Sequence, residues 1–70
     1  MPTEAEFLDR MSSVLETPVA MTTRFRETPF WSSLAGFGML VSLENDFRRR
    51  MSVEEFRACD TIGDLWKSLK

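Results

Sequence analysis

Histidine is absent from this chain, and its one cysteine, Cys59, has no second thiol to pair with. Those absences exclude a zinc site of the usual Cys/His kind, a Ser-His or Cys-His nucleophile pair, and an internal disulfide. Long apolar runs are missing too: no stretch approaches the ~20 residues needed to cross a bilayer. The first residues carry Glu4, Glu6 and Asp9 around a single Arg10, not the basic-then-apolar pattern of a secretion signal. A reduced, cytoplasmic setting is the expectation. Strong charge of either sign is also lacking. A net charge of −2 and a pI near 5.0 make a poor footprint for nucleic acid. The one basic cluster, Arg48-Arg49-Arg50, reads as a solvated helix end whose cations complement the negative pole of the macrodipole. Neither a nucleic-acid nor a membrane partner is expected.

What the chain does have is a 43% apolar fraction in 70 residues, enough for one folded domain spanning 1–70. A domain of this size buries roughly 60% of the surface its unfolded chain exposes, which leaves little room for a deep cleft. Paired catalytic carboxylates are not apparent either. Glu54 and Glu55 are consecutive, and consecutive helical residues do not face each other. Cys59 reads as a small core residue, with only Arg57 close in sequence to lower its pKa. A stand-alone enzyme is not expected.

The spacing predicts four helices and no sheet. Thr3-x-x-Glu6 is a capping box, followed by Phe7, Leu8, Met11, Val14 and Leu15 on one helical face. Pro18 forces Thr17 out of helical geometry, so the first helix ends near Glu16. Residues 17–31, with Pro18 and Pro29, form a long irregular connection that Val19, Met21, Phe25 and Phe30 are expected to pin across the domain. A second helix starts at Ser32 or Ser33 and runs to about Arg49. Its Leu34, Phe37, Leu40, Val41, Leu43 and Phe47 make an apolar surface broader than one stripe. Gly36 and Gly38 inside it serve either close helix packing or clearance for a partner or bound chain. Ser52-x-x-Glu55 opens a short third helix reaching about Cys59. Asp60 or Thr61 caps a fourth, with Ile62, Leu65, Trp66 and Leu69 as its core stripe.

With Ser33 at the head of the longest helix, the chain resembles the acyl and peptidyl carrier proteins. In that family an Asp-Ser-Leu motif opens the second helix; here Ser32-Ser33-Leu34 stands in its place, directly after Phe30-Trp31. The family's Leu-Glu-x-x-Phe pattern is matched by Leu43-Glu44-Asn45-Asp46-Phe47, and the start of its last helix by Thr61-Ile62-Gly63-Asp64-Leu65. The resemblance runs from Phe30 to Leu69 and implies an all-α, small four-helix bundle of acyl-carrier type with a long loop between helices 1 and 2. It implies that Ser33 carries a covalent 4′-phosphopantetheine arm donated by coenzyme A, installed by a phosphopantetheinyl transferase. The arm's thiol would hold an acyl or aminoacyl cargo as a thioester, passed between a loading enzyme and a downstream synthase or transferase by a monomeric carrier. Leu34, Phe37 and Val41 match the family's partner- and cargo-binding patch. On a helix this apolar they cannot all face inward, so partial exposure is expected for Phe37 and Val41.

Three departures from the family stand out. Ser32 replaces the motif aspartate, keeping an N-cap acceptor and losing a charge. Ala35-Gly36-Phe37-Gly38 replaces the usual acids, and no charge follows Ser33 until Glu44. Arg48–Arg50 falls where carriers often turn through glycine and apolar residues. These changes imply a specialised carrier with its own partners, or alternatively an unmodified carrier-like module that docks through Leu34, Phe37 and Val41.

Overall fold

The structure, a computed structural model, describes residues 3–69. Within them lie four α-helices: α1 (Glu4–Leu15), α2 (Ser33–Phe47), α3 (Val53–Ala58) and α4 (Ile62–Ser68). A 3₁₀ turn at Phe25–Glu27 interrupts the connection from α1 to α2. The fold is all-α. Among the described residues, extended pairing is confined to an isolated antiparallel bridge between Arg24 and Thr61.

Local chemistry sets the helix starts. Thr3 accepts from the amide of Glu6 at 3.1 Å, while the Glu6 carboxylate accepts from the Thr3 amide at 2.9 Å. Ser52 with Glu55 and Thr61 with Asp64 form the same reciprocal box. Each cap is worth about 1 kcal/mol, because it satisfies amides that the helix itself leaves free. α2 differs: Ser32 caps it alone, accepting from Ala35 at 3.2 Å, and its first turn holds no acid.

The helix ends sit slightly earlier than the sequence suggests. α1 stops at Leu15 because Glu16 turns left-handed (φ 57°), and α2 stops at Phe47, not near Arg49, because Arg48 does the same (φ 59°). In both cases the amides past the turn fold back onto a helix carbonyl: Thr17 donates to Ser12, and Arg49 donates to Leu43.

α1 packs against α2 and α4. Phe7, Met11 and Leu15 are fully buried, and they meet Met39 and Leu43 of α2 and Ile62 and Leu65 of α4 in one core. The Phe7 ring lies 5.0 Å from Phe47, edge-on, and 5.3 Å from Trp66. The core face of α2 is Gly36, Met39, Ser42 and Leu43. Ser42 is tolerated there because its hydroxyl donates to Asp46 at 2.8 Å, and Asp46 in turn pairs with Arg10 of α1 at 3.2 Å.

The connection between α1 and α2 is tied down along its length. Phe25 is fully buried and Val19 and Met21 are half-buried, as expected of anchors. Phe30 is not: it is 61% exposed. The chain turns at Thr28–Phe30 so that Trp31, instead of its neighbour, packs beside Phe25 with ring centroids 5.8 Å apart. Backbone bonds from Ile62 to Thr23 (3.0 Å) and from Gly63 to Met21 (2.7 Å) lay the segment along the start of α4. A β-carbon on Gly63 would come within 3.0 Å of the Met21 carbonyl oxygen, so the glycine is what permits that approach.

The basic cluster is more than a solvated helix end. Arg49 is half-buried, donating to the Ser68 carbonyl at 3.1 Å and to Glu55 at 2.5 Å. Arg50 pairs with Glu44 at 2.9 Å. Of these three arginines, Arg48 is the exposed one with no ion pair among the described residues.

Candidate functional site

The two adjacent serines divide the work at the head of α2. Ser32 is the N-cap; its extended backbone (φ −158°) aims its hydroxyl at the Ala35 amide. Ser33 is the first helical residue. Its side chain is exposed and makes no hydrogen bond among the described residues, so this hydroxyl is free for other chemistry. The amides of a helix's first turn and the macrodipole favour negative charge beside such a position.

Next to Ser33 the three residues of the expected apolar patch do face outward. Leu34 is 79% exposed, Phe37 64% and Val41 39%. α2 places them so because 100° per residue puts positions 34, 37 and 41 on one side when 36, 39 and 43 face the core. Phe30 and Val53 (56% exposed) extend the apolar surface on either side.

A groove of about 300 Å³ opens from Ser33 between α2 and α3. Trp31, Gly36, Phe37, Leu40, Val53 and Phe56 supply its apolar walls, and Arg26 and Arg57 stand at it. Gly36 has a clear steric reason: a β-carbon there would lie 2.9 Å from the Trp31 ring. Gly38, on the other side, would place one 3.3 Å from a methyl of Val14 in α1. Close packing within the chain thus requires the glycine at position 36, whereas the contact at Gly38 is one that a small shift of Val14 relieves.

Arg26 is held rigidly. Its guanidinium donates to the Cys59 carbonyl at 2.6 Å and to the Phe56 carbonyl at 2.8 Å, closing the end of α3. It also stacks over the Phe25 and Phe56 rings, 4.6 and 5.3 Å from their centroids. Nothing local in the sequence announced this residue, because its partners lie 30 and 33 positions away. Val53 and Arg57 were also not anticipated; the available signal was an apolar residue one turn before Phe56.

Cys59 is buried, and that burial, reinforced by the charge of Asp64, pushes its thiol pKa up. Its side chain packs in the hydrophobic core. Among the described residues no group of His, Cys, Asp and Glu is arranged to hold a metal ion, and no helix is long and apolar enough to cross a membrane. Comparison with family models, with curated proteins and with solved structures returns no match to this chain.

Proposed function

We propose that this chain is a specialised acyl or aminoacyl carrier protein, armed with 4′-phosphopantetheine at Ser33. The observation that carries the reading is the free, exposed Ser33 hydroxyl on the first turn of α2, with its neighbour Ser32 already committed to the cap. A four-helix architecture with an ordered α1–α2 connection suits a carrier of this type, which needs no catalytic apparatus of its own.

The residues around Ser33 fit such an arm. The other three helices begin with a carboxylate of their own at the third position, Glu6, Glu55 or Asp64; α2 has Ala35 there. A phosphodiester on Ser33 would therefore meet a helix start whose positive pole is not already answered by an acid. When attached, the group supplies a thiol that holds cargo as a thioester. This chain's part is to present the hydroxyl, keep it outside the core, and flank it with a docking face at Leu34, Phe37 and Val41. A separate transferase provides the magnesium and base for the attachment itself.

Incubation with coenzyme A and a broad-specificity phosphopantetheinyl transferase, read by intact-protein mass, tests the reading. The expected result is one phosphopantetheinyl addition that disappears in Ser33→Ala. No addition, or one that survives the substitution, overturns it.

The exposure of Leu34 and Phe37 also favours a second reading, an unmodified module that binds a protein through this face. In that case Phe37→Asp abolishes binding while Ser33→Ala leaves function intact in cells; dependence on the Ser33 hydroxyl rejects it.

A further inference from the structure

The groove between α2 and α3 is apolar in its walls and positive in its charge. Arg26 and Arg57 line it, and no carboxylate does. The Arg26 charge is fixed at the groove by two backbone carbonyls, which are dipoles and do not cancel it. Arg57 is exposed and makes no ion pair among the described residues. Glu54 stands three positions before it on α3, outside the groove lining and not paired with it. On α2 the ten residues from Ser33 to Ser42 carry no charge, and Glu44 beyond them is taken up by Arg50.

The depression on the other flank of α2 has the opposite character. Val14, Phe30 and Ala35 line it together with the carboxylate of Glu16. Leu34 lines this second depression and not the first, so the two flanks of α2 differ in charge and a charged partner is steered to one of them.

Phe37 and Val53, both more than half exposed, line the positive groove, whose volume of about 300 Å³ admits an inserted apolar side chain. Both walls are helices whose backbone bonds are already made, and Arg26 occupies the carbonyls at the end of α3. A docking segment finds no strand edge to pair with and must satisfy its own backbone, which a helix does.

We propose that this groove binds an acidic amphipathic helix of a partner protein. An apolar side chain of that helix enters between Phe37 and Val53, and a carboxylate near it meets Arg57. The proposal rests on the docking role given above to α2 and not on modification of Ser33. It assigns the partner's charge: acidic, in keeping with an α2 face that has no acids for a basic surface to read.

Two synthetic helical peptides test it, with leucines at identical i, i+3, i+4 and i+7 positions, one bearing glutamates on the flanks and the other lysines. Each is titrated into the isotope-labelled protein and followed by amide NMR shifts. The glutamate peptide is expected to move the amides of Gly36, Phe37, Val53 and Arg57, with an affinity that falls as salt is raised. Arg57→Glu is expected to weaken it by about tenfold or more, as loss and reversal of a charge pair does. Arg48→Glu makes the same charge change outside the groove and is expected to leave it unchanged, and the dispersion of each spectrum shows whether the variant is folded. Equal or tighter binding of the lysine peptide at these amides overturns the charge assignment. Shifts confined to another surface, or none with either peptide, overturn the groove as a docking site. Neither result depends on whether Ser33 accepts an arm, which the mass measurement decides separately.

Discussion

At the scale of single residues, the glycines of α2 show how a few tenths of an ångström decide the sign of a substitution. Alanine gains about 1 kcal/mol over glycine in a helix interior. At Gly36 the added carbon would stand 2.9 Å from the Trp31 ring, which is wedged between the helix and Phe25. Overpacking of that kind costs about 1–3 kcal/mol, so Gly36→Ala is expected to lose about 1 kcal/mol net. At Gly38 the contact is 3.3 Å to a methyl of the half-buried Val14, which has room to yield. There the propensity term wins, and Gly38→Ala is expected to gain up to about 1 kcal/mol. Urea denaturation of the two variants checks the pair; equal effects, or the reverse order, would show that Trp31 moves aside freely. The sequence placed both glycines inside the helix but could not separate packing from clearance, because what each one faces comes from α1 and from the loop.

At the scale of elements, the helix starts were legible and the faces of α2 only partly so. A capping box is written in four consecutive residues, so Thr3–Glu6, Ser52–Glu55 and the start of α4 declare themselves without tertiary information. α2 is apolar nearly all round, so periodicity alone did not identify Met39 and Ser42 as core; the phase is set by packing on α1. The exposure of Phe37 and Val41 followed from geometry, since one helix cannot bury every side. Invisible in sequence was the way the α1–α2 connection grips α3. Arg26 reaches two carbonyls at 2.6 and 2.8 Å, a planar fork spanning the helix end. Removing it leaves the part-buried Cys59 carbonyl without a donor and the Phe56 carbonyl with only the Cys59 amide, at 3.1 Å. Arg26→Met is expected to cost about 2 kcal/mol, and Arg26→Lys to recover less than half, because one ammonium on a flexible stem does not span both carbonyls. Full rescue by lysine in thermal or urea unfolding would mean that charge, and not the two-pronged bond, is what matters there.

At the scale of the whole molecule, the capping boxes give the domain a common response to acid. The backbone amide of Thr3 holds the Glu6 carboxyl below its ordinary value of 4.5. The Ser52 amide, helped by Arg49, does the same for Glu55, and the amides of Asp60 and Thr61 hold Asp64 below 3.8. A carboxyl whose pKa is lower folded than unfolded binds fewer protons in the native state, so its contribution is complete above the unfolded value and disappears as pH falls through the folded one. Stability is therefore expected to be level from neutral pH down to about 5, then to decline through the range below 4.5 as three of the four helices lose ionised caps together. Replacing the acids by their amides keeps an acceptor for each amide and removes the titration. The combined variant Glu6→Gln, Glu55→Gln, Asp64→Asn should then show a shallower fall in melting temperature between pH 5 and pH 3 than the parent chain. An unchanged slope would place the acid sensitivity elsewhere, and a parent chain that grows more stable on acidification would contradict the direction of all three shifts. α2 stands outside this effect, since no acid caps it, whereas α3, the other wall of the groove beside Ser33, loses the ionised Glu55 of its cap.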